Sequence, residues 1–295
     1  MNLSRKMNPD YQYLKLVKKV LKYGRLQDTR NSKTLSLFGN MMKFSLKNDK
    51  VPILTTKKLA WRSCLKELLW FMNGDTDNKS LQRQNVKIWN DNADRSFMLT
   101  RGLNYEIEGD LGPIYGHQWR FFNAEYSGCN SVYKGQGVDQ LQNIIDSLKD
   151  DKEKHSRRLI LSAWNPCQLD EMALPPCHVL SQFNVNSNDE LSCLLFQRSG
   201  DLGLGVPFNI ASYGFLTHIL AKHCDLRPGY LIHTIGDAHI YENHIQPLRE
   251  QVTRPFYNPP TILINKKDCI DDYKFEDFEV KNYNYHPSIK MDMIA

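Results

Sequence analysis

Apolar residues follow two rhythms along this chain. Between residues 10 and 22, Tyr13, Leu14, Val17, Val20 and Leu21 recur at the spacing that lines one face of an α-helix. The same rhythm returns from Trp61 to Met72, where Asn73-Gly74 ends it, and from Gln140 to Leu148. Ile210 to Cys224 is apolar on every side and reads as a long helix beginning just after Pro207 and Asn209. Leu159 to Trp164, Val179 to Val185 and Leu191 to Gln197 are short, apolar and bounded by turn formers, which predicts strands. The elements interleave without a strict β-α-β order, so the expected fold is α+β, a mixed β-sheet flanked by helices.

Repeats, low-complexity tracts and Pro/Gly/Ser-rich linkers are missing, so residues 1–295 are expected to form a single domain. With 41% apolar and 24% charged residues the chain can bury a large core. Its apolar runs fall short of the ~20 residues that span a bilayer, so no membrane partner is expected. The start, Met1-Asn2-Leu3-Ser4-Arg5-Lys6, is not followed by a signal-like apolar core. Seven cysteines without C-x-x-C pairs suit a reducing compartment, most simply the cytosol, with the nucleus also compatible. A net charge of +5 fits a small anionic substrate at least as well as a nucleic acid, and leaves room only for weak RNA binding.

Candidate chemistry centres on Pro175-Pro176-Cys177-His178. Most cysteines are packing residues, but two prolines fix the backbone leading into Cys177, which suits a positioned nucleophile. The thiolate is the attacking form, and Arg198 is the cation expected to favour it. Arg30, Arg157, Arg158 and Arg198 are candidate phosphate forks, each more often a plain surface charge when taken alone. His239 and Tyr241 stand two apart, so in an extended segment they point to one face. Glu67 is an acid inside an apolar helix, either exposed beside Lys66 or buried with a raised pKa.

The run Ser162-Ala163-Trp164-Asn165-Pro166 through Cys177-His178, then Gln197 to Asp201, Pro207 to Tyr213 and Gly236 to Tyr241, resembles the thymidylate synthases, from about residue 10 to the C-terminus. The resemblance implies reductive methylation of dUMP to dTMP with 5,10-methylenetetrahydrofolate as co-substrate and no metal. It makes Cys177 the nucleophile, with His178 beside it, and Glu67 and Tyr115 the proton relay. Arg30, Arg198 and Ser199 would hold the phosphate, and His239 and Tyr241 the sugar 3′-hydroxyl. Gln197 and Asn209 would face the base. A carboxamide matches the N3–H donor and O4 acceptor of uracil, and a helix cap is the plainer role for Asn209. Asp201, Trp89, Asn92, Lys57, Phe208 and the C-terminal Ala295 would contact the folate, with Lys57 and Lys58 near its glutamate tail and His286 to Ala295 closing over the site. Arg157 and Arg158 would reach into the partner subunit, making a homodimer with the sheet at its interface.

Two departures stand out. Arg30-Asn31-Ser32-Lys33-Thr34 is one residue shorter than the family's glycine-rich loop, which removes cheap access to positive φ. Asn90 replaces an aspartate common after the tryptophan. Among other readings, a pyrimidine hydroxymethylase, in which water rather than hydride completes the reaction, is the nearest rival, and its cytosine version would need an aspartate-like group in place of Asn209. A Cys-His hydrolase is weakened because Cys177 and His178 are sequence neighbours. An RNA-binding protein lacks any common aromatic-basic motif.

Overall fold

A computed structural model of the chain describes residues 8–29 and 32–293. Helix α1 (Pro9–Tyr23) starts on Asn8, whose side chain accepts from the Asp10 N–H. It stops at Gly24, where a Cβ would come within 2.5 Å of the Val20 carbonyl. The strands β1 (Arg25–Asp28), β2 (Lys33–Ser45), β3 (Ile160–Ser162), β4 (His178–Val185), β5 (Glu190–Asp201) and β6 (Arg227–Tyr241) form one sheet in the order β1-β2-β6-β5-β4-β3. Only β5 and β6 run parallel, so the sheet is mixed, as the sequence predicts.

One face of the sheet is covered. Helix α1 and the long α3 (Gly205–His223) pack there, helix α2 (Trp61–Met72) packs on α3, and every residue of α3 from Ile210 to Ala221 is buried. That helix begins five residues before its predicted start, because Pro207 lies in the first turn, where its missing N–H has no helical partner to lose. The other face lies open. Lys43, Ile232, Leu194, Gln182 and Ile160 form one row across five strands, and Met41, Thr234, Phe196 and Leu180 form the next. Met41 is 67% exposed, Ile160 44%, Leu194 38% and Phe196 36%, a broad apolar surface bare in this chain.

A short helix, α4 (Tyr115–Arg120), carries Tyr115. Its last residue is tied down on three sides. Arg120 pairs with Asp139 at 3.0 Å and Asp271 at 2.5 Å, and donates to the Met72 carbonyl at 2.6 Å. These bonds fix α4 against the end of α2, bringing Tyr115 beside Glu67's helix.

Candidate active site

Three adjacent strands set the site. The register places His178 of β4 opposite Gln197 of β5, Gln197 opposite Ile235 of β6, and Asp201 opposite His239. Cys177 enters just ahead of β4, and its carbonyl accepts from the Arg198 N–H at 2.9 Å. The Cys177 N–H donates to Tyr115 Oη at 2.8 Å. The prolines offer carbonyls with no N–H to pair, and Arg198 takes both: Nε on Pro176 O at 3.0 Å and Nη2 on Pro175 O at 2.9 Å. The guanidinium lies 5.7 Å from the Trp164 ring.

The expected cation is thus in place, but its effect is smaller than anticipated. Burial pushes the Cys177 thiol up and Arg198 only partly offsets it, so the net shift is upward. Nε and Nη2 of the guanidinium are engaged by backbone oxygens, and the thiol sits in a poorly solvated spot. Cys177 is therefore a thiol at rest.

Glu67 is buried, and the Trp89 indole N–H donates to its Oε1 at 2.7 Å. Burial lifts this carboxyl to about 7 against the pull of that one hydrogen bond. The Tyr115 ring lies 6.1 Å from Trp89, 4.8 Å from Phe71 and 5.1 Å from His178, bridging Glu67's surroundings to the Cys177 loop. Trp89, a candidate folate contact, is only 5% exposed and commits its N–H to Glu67. Asn92 is half-buried in the turn that follows.

Asn209 lies within α3 and caps nothing; the helix has no side-chain cap. Its Oδ1 accepts from Gln197 Nε2 at 2.9 Å, and Gln197 Nε2 also donates to the Ser199 carbonyl at 2.8 Å. His233 Nε2 meets Gln197 Oε1 at 2.8 Å. Burial pushes His178 down to about 4, against its bond with Asn209, and His233 down to about 3, so both rings are neutral at pH 7.

His239 and Tyr241 share a face as predicted, their rings 5.2 Å apart. Asp201 accepts from the Gly203 N–H at 2.7 Å and the Leu204 N–H at 3.0 Å, with His244 Nδ1 at 3.5 Å, an ion-pair distance rather than a formed hydrogen bond. Burial raises this carboxyl and these contacts lower it, leaving it below its usual value. His244 is raised in turn: burial lowers it, but Asp201 and the Asp292 carbonyl, 2.8 Å from Nε2, outweigh that.

Lys57 is buried, its ammonium on the Gly203 carbonyl, and burial lowers it to about 8 against the pull of Asp201. It points inward, leaving Lys58 as the exposed member of the pair. Phe208 is half-buried against the core. Arg157 and Arg158 are exposed where the chain enters edge strand β3, and among the described residues their side chains make no ion pair. Arg30 and Ala295 lie outside the described residues. Sequence reasoning missed His233 and His244. The one signal for His233 was its even spacing from His239 along the same strand.

A positioned thiol, a buried carboxyl balanced near neutrality and an oriented carboxamide lie around one set of strand ends, the arrangement of a candidate enzyme active site. The family model described as thymidylate synthase matches residues 11–295. The chain is 52% identical over 288 residues to human thymidylate synthase, covering 96% of this chain and 90% of the relative. It is 48% identical over 305 residues to the Saccharomyces cerevisiae thymidylate synthase, covering 99% of each. Against the bifunctional dihydrofolate reductase-thymidylate synthase of Leishmania major it is 48% identical and spans 54% of that longer protein. The chain belongs to the thymidylate synthase family.

Proposed function

We propose that this chain converts dUMP to dTMP, with Cys177 as nucleophile and the other residues in the roles set out here. The observation that carries the reading is the setting of Cys177: a thiol on a diproline lead-in, beside Arg198, with the Asn209 carboxamide held next to the adjacent His178. Cys177 adds to C6 of the uracil, which makes C5 nucleophilic. 5,10-Methylenetetrahydrofolate supplies the one-carbon unit and the hydride, and leaves as dihydrofolate. Glu67, near neutrality, moves protons at the base, with Tyr115 Oη beside the Cys177 backbone. Arg198 and Ser199 hold the phosphate, with Arg30, and His239 and Tyr241 hold the 3′-hydroxyl. Asp201 is ionised with 18% of its side chain exposed, an acceptor suited to pterin N–H groups.

Incubation with 5-fluoro-dUMP and methylenetetrahydrofolate should yield a covalent ternary adduct by mass spectrometry. Cys177→Ala should form none while still binding dUMP. Normal tritium release from [5-³H]dUMP by Cys177→Ala would refute the assignment.

The bare sheet face suits a second copy of the chain, since an exposed apolar patch can be covered by the same patch of a copy related by a two-fold axis. Arg157 and Arg158 stand at the edge of that same sheet, free of ion pairs among the described residues, and serve the neighbour's phosphate. Mixing Cys177→Ala with Arg158→Glu should regenerate activity through hybrid dimers holding one intact site. The seven cysteines are all free thiols, which suits the cytosol.

A further inference from the structure

A carboxamide is nearly symmetric in shape. Turned over by half a turn, it exchanges donor for acceptor. Asn209 with Nδ2 toward O4 and Oδ1 toward N3–H reads uracil. The same side chain turned over would offer oxygen to the cytosine amino group and NH₂ to the bare ring nitrogen. Asn209 alone therefore cannot tell the two bases apart, and some neighbour has to fix its ends.

Gln197 is that neighbour. Its Nε2 donates to Asn209 Oδ1 at 2.9 Å and to the Ser199 carbonyl at 2.8 Å, and its Oε1 meets His233 Nε2 at 2.8 Å. A backbone carbonyl only accepts, so the Gln197 nitrogen has to face Ser199. The Gln197 oxygen also only accepts, so His233 carries its proton on Nε2 and leaves Nδ1 bare. Nδ1 of His233 is indeed a buried atom without a hydrogen-bond partner among the described residues. His233 is fully buried and Gln197 is 2% exposed, so water is not there to replace a lost bond.

We propose that His233 is a specificity-determining positioning residue: its single Nε2 proton pins Gln197, and Gln197 holds Asn209 in the orientation that accepts uracil and refuses cytosine. This rests on the reading of Asn209 as the base contact. Turning Asn209 alone sets two NH₂ groups against each other. Turning Gln197 with it sets oxygen against the Ser199 carbonyl and NH₂ against the His233 N–H. Both mismatches fall in a dry site, where unpaired polar groups are most costly.

Competition between dUMP and dCMP, read as release of tritium from C5, gives the ratio of the two kcat/KM values. His233→Leu is expected to lower the preference for dUMP about tenfold, the loss of one buried hydrogen bond, and mostly through KM. His233→Gln, which can still donate, is expected to keep most of the preference. An unchanged ratio in folded His233→Leu overturns the proposal. Asn209→Asp, run alongside, separates the two ideas. If it moves the ratio and His233→Leu does not, the relay fails alone; if neither does, the base-reading role of Asn209 fails. Nitrogen-15 shifts of His233 in the wild-type chain provide a test that needs no variant to fold. The Nε2–H tautomer is expected from pH 5 to 9, and an Nδ1–H tautomer or an imidazolium overturns the relay.

Discussion

Glu67 and Asp201 are carboxyls drawn inside on different elements of the same site, and they end in opposite states. Glu67 has one donor, the Trp89 indole, and burial wins, lifting it to about 7. Asp201 has two backbone N–H groups and a histidine, and these win instead. The number and charge of the donors decide the outcome, and depth alone does not. One acid is left able to take and give a proton, while the other is a fixed anion.

The largest effect that would test this contrast is on Glu67. Glu67→Gln keeps the shape but removes the titrating proton, and should lower kcat by about 10²–10⁴ while dUMP binding by calorimetry holds. A variant with normal kcat would make Glu67 a packing residue. Asp201→Asn should act on binding instead, raising the folate KM by about ten- to a hundredfold, the loss of a charged hydrogen bond, with little change for dUMP. Steady-state kinetics in each substrate separate the two carboxyls.

Trp89→Phe sharpens the comparison more gently. It removes the one bond that lowers Glu67, so the carboxyl should rise further and the acid limb of the kcat profile should move to higher pH. The deficit should fade on the alkaline side, and a parallel drop at all pH values would contradict it. The smallest effect concerns the chain's end. His244 is raised from 6.5, so its contribution is full below that value and is lost as pH rises through its folded pKa. Asp201 is lowered from 3.8, so its share is present above that value and is lost as pH falls through its folded pKa. Together they hold the Asp292 carbonyl best between these limits, and hydrogen exchange near Asp292 should quicken above the window, less so in His244→Asn.

The fold was legible where burial writes a rhythm. The helix at Pro9–Tyr23 and the one at Trp61–Met72 match their predicted bounds within a residue: the first buries one stripe, and the second, buried on most sides in its last turns, stops where Asn73-Gly74 ends its pattern. Strand β5 runs on to Asp201, four residues past its predicted end. Arg198 to Asp201 carry no alternation, and it is their ladder to β6 that keeps them extended. β3 is shorter than expected, only Ile160–Ser162, since an edge strand has one neighbour to hold it. Among the site residues, Glu67 stood out as an acid in an apolar helix, but beside Lys66 its pattern alone favoured exposure, and only the family resemblance pointed to burial. His233 and His244 did not stand out, because their partners lie 36 and 48 residues away in the chain and a lone histidine, in a strand or in the turn after it, looks like any other. Lys57 shows the reverse failure: lysine beside lysine reads as surface, yet one of the two is folded inward onto Gly203.

The bare sheet face also bears on how the protein behaves on dilution. In the proposed dimer the two chains bury Met41, Phe196, Leu194 and Ile160 together and each lends arginines to the other, so folding, solubility and turnover would all become functions of concentration. Specific activity should fall as the protein is diluted below the dissociation constant of the dimer, and melting temperature should fall with it. Separated chains would also carry an apolar surface into solution, so at low occupancy the competing fate is aggregation rather than a quiet monomer.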